Sequence, residues 1–476
     1  MSLRLSVLFI CLSIFTNTIA QVDIFSSMDS TFNAYVKNMD DEYTSYTEKM
    51  DEDFYKYLMQ DWDAFTVLDP LEEESYSSEP QFSNTFLVKS VPYPVYTPKK
   101  NAFYEKISFK FFEERITLEI DAKIRLNLKS ASEREVAEGW KKLTDCDFGK
   151  IIEEIGLIKS KLHLNDWAVY CLVHQVALQI FPTKQYNEKA LFISFILAHA
   201  GYDIRLGRIE DKSNTIRMII LLPFRTDVYK NKRTKILGKY YYIEPLLESF
   251  DVNKLGIYNE NKIYSYKKNF ELAKADINLS INRTPLLGST VIQKSIENSS
   301  AKTISKIRWK KGLTDFYNTY PRTLLPIYLN TPLSPELKES LYATLKDLLN
   351  DKNKKKATQE ILKWFFYSFP YKSDEVERTF FAEQTVLYDY SDCEDRAILF
   401  ARIIKELLQL NVALFVFDGH VATGVCFETE VSGFSKSFNV LKYTICDPSS
   451  KVSTVGYIMD EYSNNKVTIV PLHSVN

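Results

Sequence analysis

One order of predicted elements occurs twice in this chain, and the duplication limits the fold more than any single motif does. The helical patterns of the first half, which precede a strand-like run at 239–245, lie at 132–145, 149–160 and 165–180. The second half repeats this order with helical patterns at 357–367 and from 393, followed by strand-like runs at 412–417, 421–427 and 442–448. Helices and strands that are segregated in this way predict an α+β fold. We expect a first unit at 101–265, a poorly patterned connector at 266–310 and a second unit at 311–476.

The first 20 residues have the pattern of a secretory signal peptide. Arg4 precedes an apolar run, and Thr18-Ile19-Ala20 is a small-residue cleavage pattern, so we expect cleavage near Ala20 and an exported protein, periplasmic, extracellular or on the cell surface. The apolar run has about 11 residues, fewer than the roughly 20 that span a bilayer, and no later stretch predicts an integral membrane span. The formal net charge of −2 gives no reason to expect a nucleic-acid partner.

A regular aromatic spacing marks residues 22–66. The residues that recur every 11 positions are Phe32, Tyr43, Phe54 and Phe65. Eleven residues over three turns is about 3.67 per turn, which predicts one long amphipathic helix. We expect its aromatic stripe to pack on the protein's own body, or to support self-association. An acidic, proline-containing linker is predicted at 67–100.

A cysteine begins one of the predicted helices, in the run "YSDCEDRAILFARI". Ser391 and Asp392 are good N-cap residues, so Cys393 lies in the first turn. The chain has six cysteines, and removal of Cys11 with the signal peptide leaves an odd number, hence at least one free thiol. Amides at a helix N-terminus favour a thiolate, and with a neighbouring imidazolium they lower a thiol pKa from about 8.5 to between roughly 3.5 and 7.5. We therefore expect an activated thiolate at Cys393.

A base and an acid that could serve this thiol follow it along the chain. His420 comes directly after Gly419 and opens a strand, and Asp447 closes a later strand just before Pro448. If these two strands pair antiparallel, the start of the first lies beside the end of the second. The sequence therefore predicts that His420 meets Asp447 and that Cys393 completes a Cys-His-Asp triad.

The oxyanion formed by attack of the thiolate requires hydrogen-bond donors. The backbone N–H of Cys393 is one donor, and the candidates for a second are Gln384, Tyr388 and Tyr390. A zinc site made by Cys393, His420, Cys446 and Asp447 is disfavoured, because adjacent strand residues such as Cys446 and Asp447 point to opposite faces. No pair of candidate ligands shows the short CxxC or HxxxH spacing either, so no metal and no cofactor is expected.

The runs "DCEDRAILFARI" and "GHVATGV" resemble the transglutaminase-like superfamily, whose catalytic core is papain-like, and are similar to bacterial exported members of it. The resemblance covers about residues 355–450, with a weaker echo in the first half. It implies two transglutaminase-like units, the first degenerate, preceded by the long N-terminal helix. It also implies Cys393 as nucleophile, His420 as general base and acid, and Asp447 as the orienting carboxylate.

The resulting hypothesis is a cysteine-dependent amide hydrolase or acyltransferase that acts on peptide or protein amides through a thioester. Hydrolysis is favoured over transamidation because the sequence shows no amine tunnel and no calcium-loop pattern. The alternative is a non-catalytic binding or assembly protein that retains a relic triad. Aligning the two halves places Tyr186 at the position of Cys393 and Glu244 near that of Asp447, and no histidine lies between residues 200 and 419. The first unit is therefore expected to be non-catalytic.

Overall fold

The computed structural model describes residues 44–72, 101–182, 184–210, 216–244, 262–350, 353–373 and 378–472, with isolated residues between 35 and 99. The predicted signal peptide and most of the predicted 67–100 linker lie outside the described residues. Two compact units are distinguished, residues 1–54 and residues 55–476.

The N-terminal segment differs from the single helix expected over 22–66. Residues 44–58 are helical, and strand β1 follows at Asp63–Leu68. The expected helix therefore ends before residue 63, and Phe65, the last member of the 11-residue series, lies in a strand. Phe32 and Tyr43, the two members of the series before residue 44, lie outside the described residues.

The first half of the larger unit begins with a β-hairpin. Strands β2 (Tyr104–Phe111) and β3 (Glu114–Asp121) pair antiparallel around a two-residue turn whose central residues, Phe112 and Glu113, have φ of 44° and 72°. Two successive positive φ angles match the right-handed twist of hairpin strands. The four helices that follow are α1 (Glu133–Asp145), α2 (Phe148–Leu162), α3 (Asp166–Ile180) and α4 (Tyr186–His199).

A closed antiparallel barrel completes this half. Its remaining strands are β4 (Arg205–Glu210), β5 (Ile216–Leu222), β6 (Arg233–Ile236), β7 (Lys239–Glu244) and β8 (Lys262–Ser265). The strand order is β1-β6-β7-β5-β4-β8, with β1 pairing antiparallel to both β6 and β8. Phe65 and Val67 of β1 pack into the apolar interior. Pairing on both edges and burial of alternate residues explain why this segment is a strand despite its helix-like period.

The expected connector at 266–310 contains a second β-hairpin. Its strands are β9 (Val291–Asn298) and β10 (Thr303–Lys310). Most residues of β9 are exposed or half-buried, and Ile296 and Asn298 alone are buried within it. Lys294 and Asn298 occupy two of the more buried positions of β9, so apolar residues do not recur at every second position. This explains why the pattern did not predict the hairpin.

The helices that follow this hairpin are α5 (Lys311–Tyr317), α6 (Leu325–Asn330), α7 (Pro335–Leu349), α8 (Lys354–Ser368), α9 (Ala382–Leu387) and α10 (Cys393–Leu407). The strands after them are β11 (Asn411–Phe417), β12 (His420–Cys426), β13 (Ser435–Phe438), β14 (Leu441–Cys446) and β15 (Thr468–Pro471). These five strands form an antiparallel sheet in the order β13-β14-β12-β11-β15.

The two halves share one order of elements. Each has a hairpin, a set of helices, a buried central helix and five strands, and the order β6-β7-β5-β4-β8 of the barrel corresponds to β13-β14-β12-β11-β15 of the sheet. This correspondence agrees with a duplication whose second copy begins at the β9–β10 hairpin. In the described part of the chain, β1 has no counterpart in the second sheet.

Helix α10 lies against β11 and β12 and is buried along most of its length. The Thr423 hydroxyl of β12 donates to the Ala397 carbonyl of α10 at 2.9 Å, which fixes the helix near the start of that strand. The mixture of helices and strands in the structure confirms the α+β class. Among the described helices, none combines the length and the apolar character needed to cross a membrane.

Candidate active site

Helix α10 brings Cys393 to the start of β12. Asp392 precedes the helix with an extended backbone, φ −98° and ψ −159°, and Cys393 is the first helical residue. The backbone N–H of Val421 is close enough to the Cys393 sulfur to act on the thiol, and it lowers the pKa of Cys393. Because Val421 directly follows His420, the half-buried thiol lies near the first residues of β12, where His420 is found.

His420 and Asp447 form a buried pair, as the strand pattern predicts. Antiparallel pairing of Thr423 with Cys446 brings the end of β14 to the start of β12, and Nε2 of His420 lies 2.9 Å from Oδ2 of Asp447. The second oxygen, Oδ1 of Asp447, accepts the backbone N–H of Ser449 at 2.8 Å. In a neutral imidazole, donation from Nε2 to the carboxylate leaves Nδ1 as the nitrogen that can accept a proton.

Aromatic rings hold the imidazole in place. The Tyr462 ring stacks on the His420 ring with centroids 4.7 Å apart and planes 16° apart, and Phe417 lies 6.3 Å away. The charge of Cys393 also contributes to raising the pKa of Tyr462, after burial and the charge of Glu461, so the phenol is near the thiol. Sequence reasoning missed Tyr462, because nothing in its short 3₁₀ turn distinguishes it from the many other tyrosines of the chain.

Tyr371 is a second aromatic neighbour that the sequence did not identify. It forms a parallel bridge with Ser391, and the Lys372 N–H donates to the Ser391 carbonyl at 3.1 Å. Burial raises the pKa of the half-exposed Tyr371, as do the charges of Cys393, Asp392 and Glu394. The segment "SFPYK" repeats "IFPTK" of the first half, and this repetition was the available signal.

The environment of the thiol contradicts the expected thiolate. The Cys393 thiol donates to Oε2 of Glu394 at 3.2 Å. Burial raises the pKa of Cys393 well above its ordinary value, and the negative charges of Glu394 and Asp392 raise it further. The Val421 N–H acts in the opposite direction but does not outweigh them. The resting side chain is therefore a protonated thiol.

Arg396 fixes the backbone next to Asp447. Its side chain is fully buried, and its Nε and Nη2 donate to the Pro448 carbonyl at 3.2 and 2.6 Å while Nη1 donates to the Phe369 carbonyl. Burial lowers the pKa of Arg396 to about 10, with Asp447 acting in the opposite direction. The guanidinium thus ties the turn after Asp447 to the segment that carries Tyr371.

The three candidate oxyanion donors have other partners. Gln384 accepts the Phe381 N–H at 3.0 Å and donates to Oδ1 of Asn318 at 2.9 Å, and the Tyr388 hydroxyl donates to the same oxygen at 2.9 Å. Tyr390 is 55% exposed, with Lys372 Nζ over its ring at 5.6 Å. Gln384 and Tyr388 therefore link the helices around Asn318, and the contacts described for these three side chains do not include Cys393.

At the corresponding position of the first half, Tyr186 begins α4. Lys189 Nζ and the Arg217 guanidinium each lie 5.5 Å from the centre of its ring. Glu244, the last residue of β7, is half-buried, and burial raises its pKa to about 8. Its charge acts on Cys171 of α3, so this carboxyl lies near that helix.

The five described cysteines are free, and no group of three or more potential metal ligands occurs among the described residues. Comparison with known proteins found no matching family model, no matching curated protein and no matching solved structure.

Proposed function

We propose that this protein is a cysteine-dependent amide hydrolase that uses Cys393, His420 and Asp447 on peptide or protein substrates. The observation that carries the proposal is the buried 2.9 Å pair of His420 and Asp447, next to the Val421 backbone amide that acts on the Cys393 thiol. A buried imidazole–carboxylate pair beside a thiol at a helix N-terminus has the parts that nucleophilic thiol catalysis requires. By resemblance, both halves would be transglutaminase-like units, with the first non-catalytic.

Because the thiol is protonated at rest, proton transfer accompanies attack. Nδ1 of His420 takes the thiol proton as Sγ of Cys393 bonds to the carbonyl carbon, and the carbonyl π pair moves to oxygen. The Cys393 N–H is placed to donate to that oxyanion. Collapse of the intermediate breaks the C–N bond, and the imidazolium gives its proton to the leaving amine. Asp447 holds Nε2–H and stabilises the imidazolium.

The thioester is then resolved by water. Nδ1 of His420 takes a proton from the water, whose oxygen bonds to the thioester carbon. Loss of the C–S bond releases the carboxylic acid, and the thiolate recovers the proton from the imidazolium. An amine in place of water would give acyl transfer by the same steps.

The test is formation of an acyl-enzyme with p-nitrophenyl acetate, which needs no knowledge of the natural substrate. We expect a burst of one equivalent of nitrophenolate and one acetyl group that maps to Cys393 by mass spectrometry. Cys393→Ala should lose both signals, whereas Cys426→Ala, which removes another half-buried thiol, should retain them. Acetylation of any other cysteine, or of none, would contradict the proposal.

A second candidate is a non-catalytic binding protein that retains the triad as a relic. The observation in its favour is the contact of Glu394 with the thiol, together with the raised pKa of Cys393. Under this alternative no acetyl-enzyme would form at any pH at which the fold is stable.

We also propose export, supported by the apolar pattern of residues 1–20. N-terminal sequencing of the protein recovered from outside the cytoplasm should begin near residue 21. Recovery of the intact N-terminus from the cytoplasm would contradict export.

A further inference from the structure

The β6–β7 hairpin of the barrel ends in an exposed aliphatic side chain. Pairing of Ile236 with Lys239 leaves a two-residue turn, whose residues Leu237 and Gly238 have φ of 50° and 86°. Two successive positive φ angles favour Asn-Gly, because the Cβ of a residue such as leucine makes this conformation unfavourable. Leu237 is nevertheless 71% exposed. Neither the turn geometry nor burial accounts for a leucine at this position.

Basic residues surround this tip. Residues 230–239 hold five cationic side chains and no acidic one. Lys230 and Lys239 pair with carboxylates of other segments. The other three have no ion pair within the described part of the chain, and they are Lys232, Arg233 and Lys235. Positive charge is therefore concentrated at one hairpin of a protein whose formal net charge is −2.

The outward face of the hairpin changes in character along its length. Thr234 and Ile236 are buried in the barrel, so Arg233 and Lys235 lie on the outward face. Lys235 pairs across the hairpin with Tyr240, which is 38% exposed. The Arg233 guanidinium and Lys235 Nζ lie 4.4 and 5.1 Å from the centre of that ring. From base to tip the face presents a cation, a tyrosine beside a second cation, and the leucine.

This order matches the depth profile of a bilayer surface. Lysine and arginine extend their charged ends to lipid phosphates, tyrosine favours the headgroup region, and an aliphatic side chain favours the acyl chains below it. Nucleic-acid phosphates would attract the same cations but would place no acyl layer beside Leu237. The combination of charge and exposed leucine therefore favours a lipid surface.

We propose that the β6–β7 hairpin docks on an anionic lipid surface. Leu237 enters the acyl layer, and the three unpaired cations contact lipid phosphates. Each basic residue near an anionic leaflet strengthens binding by about fivefold, and exposed charges are screened by salt, so docking is reversible and salt-sensitive. The inference goes beyond the cysteine chemistry proposed above and does not depend on it.

The first experiment measures sedimentation of the exported chain, from residue 21, with sucrose-loaded vesicles. Vesicles of phosphatidylcholine are compared with vesicles of equal parts phosphatidylcholine and phosphatidylglycerol. We expect the partition coefficient at low ionic strength to be at least about tenfold larger for the anionic vesicles, and to fall as salt is added. Equal partitioning into the two kinds of vesicle, or no binding to either, overturns the inference.

The second experiment tests insertion of the tip. Leu237→Asn places a residue that suits a positive φ in the turn, so the fold should be at least as stable. We expect it to bind anionic vesicles at least about fivefold more weakly, because an apolar side chain is lost from the acyl layer. The control is Val440→Asn, which changes a 97% exposed valine in the turn between β13 and β14 and should alter binding by less than about twofold. Equal binding by the two variants contradicts insertion of Leu237.

The third experiment tests the cations. Lys232→Gln combined with Lys235→Gln should weaken binding by roughly 25-fold, from about fivefold for each lysine. The matched control is Lys302→Gln combined with Lys306→Gln, which removes two exposed lysines of the β9–β10 hairpin and the same total charge. We expect a loss of less than about threefold in this control. Equal losses in the two double variants would mean that binding follows net charge alone, which overturns the inference.

A DNA duplex of mixed sequence serves as the competing ligand. Tight binding to the duplex that Leu237→Asn leaves unchanged, without preference for anionic vesicles, would assign the cations to nucleic acid and overturn the lipid inference. Cys393 takes no part in these measurements. Failure of vesicle binding therefore leaves the proposed function standing, and failure of Cys393 acetylation leaves the docking hairpin standing.

Discussion

The starts of the two central helices, α4 and α10, hold the same place in two halves of one element order and carry opposite electrostatics. In the first half the Tyr186 ring faces two cations, Lys189 and Arg217, each 5.5 Å from its centre. In the second half Cys393 faces a carboxylate and a backbone amide beside a histidine. One scaffold thus presents an aromatic, cation-facing surface in one copy and the groups of a thiol triad in the other.

The buried cation in each helix shows how the second half holds the pair of His420 and Asp447. Lys189 and Arg396 both lie in the first turns of their helices and are at most 2% exposed. An ammonium is a point charge, whereas the planar guanidinium donates in several directions at once. Arg396 uses this property to tie two backbone carbonyls from separate segments, which fixes the Asp447 turn under His420.

The carboxyl groups at the ends of β7 and β14 also differ. Asp447 accepts from His420 through one carboxylate oxygen and from a backbone amide through the other, so both oxygens are held in place. Glu244 has a pKa raised to about 8 by burial, so near neutral pH it is mostly a neutral acid. A carboxyl at a similar place in the strand order therefore orients an imidazole in one half and cannot do so in the other.

The largest expected effect comes from His420→Ala. Loss of the base should slow acetylation of Cys393 by roughly 10² to 10⁴-fold, the usual contribution of general acid–base catalysis. Stopped-flow measurement of the nitrophenolate burst gives this rate, and His174→Ala, on α3 of the first half, is the control. Equal rates in His420→Ala and His174→Ala would show that His420 does not act as a base, so that the second half would lack one as the first half does.

Asp447→Asn should have the next largest effect. The amide can still lie near Nε2 but does not stabilise an imidazolium, so we expect a loss in the same burst towards the lower end of the same range of roughly 10² to 10⁴-fold. Asp418→Asn, which changes an exposed acid in the turn before His420, should change the rate by less than about twofold. A rate for Asp447→Asn within twofold of wild type would mean that Asp447 is no more functional than Glu244.

Arg396→Lys tests the importance of the guanidinium. A lysine cannot reach both the Pro448 and Phe369 carbonyls, and a buried acceptor without a partner costs about 1 to 3 kcal/mol. We expect the free energy of unfolding, from urea titration, to fall by about 2 kcal/mol. The exposed Arg115→Lys should be neutral. No loss in Arg396→Lys would imply that the second half tolerates a lysine as the first half does.

The smallest effect concerns Glu244 and appears as a pH dependence. Its folded pKa of about 8 exceeds the ordinary value of about 4.5, so above pH 4.5 the unfolded chain releases a proton that the folded protein keeps. The contribution of Glu244 to stability should therefore be most favourable below pH 4.5 and become less favourable up to pH 8, by at most about 1.4 kcal/mol per pH unit and less for a half-buried group. In Glu244→Gln, unfolding free energies between pH 5 and 8 should lose this slope. An unchanged slope would assign the pH dependence to other groups.

Local pattern was sufficient to predict the meeting of His420 and Asp447. Strand alternation and a polar connection fix an antiparallel pair, and the pairing then fixes which ends meet. The Tyr462 stack and the contact of Glu394 with the sulfur were not predictable in this way. The Tyr462 stack depends on how separate segments pack, and the contact of Glu394 with the adjacent Cys393 depends on a side-chain conformation that the sequence does not fix.

Two elements of the fold were missed for a related reason. The 11-residue spacing continues to Phe65, but β1 forms hydrogen bonds along both of its own edges within the closed barrel. That tertiary pairing overrides a helical period. The first strand of the β9–β10 hairpin carries Lys294 and Asn298 at two of its more buried positions, so its sequence lacks the alternation that identifies strands. Both misses moved the boundaries of the units without changing the α+β class.

The central claim is that His420 removes the proton from a thiol that is un-ionised at rest, and the pH dependence of Cys393 acetylation in the wild type and in His420→Ala tests it most directly. We predict that the wild-type rate levels off well below the pH at which the thiol itself ionises. The His420→Ala rate should be lower at neutral pH and should keep rising through pH 10, following thiolate formation. Profiles of the same shape in the two proteins would contradict the account.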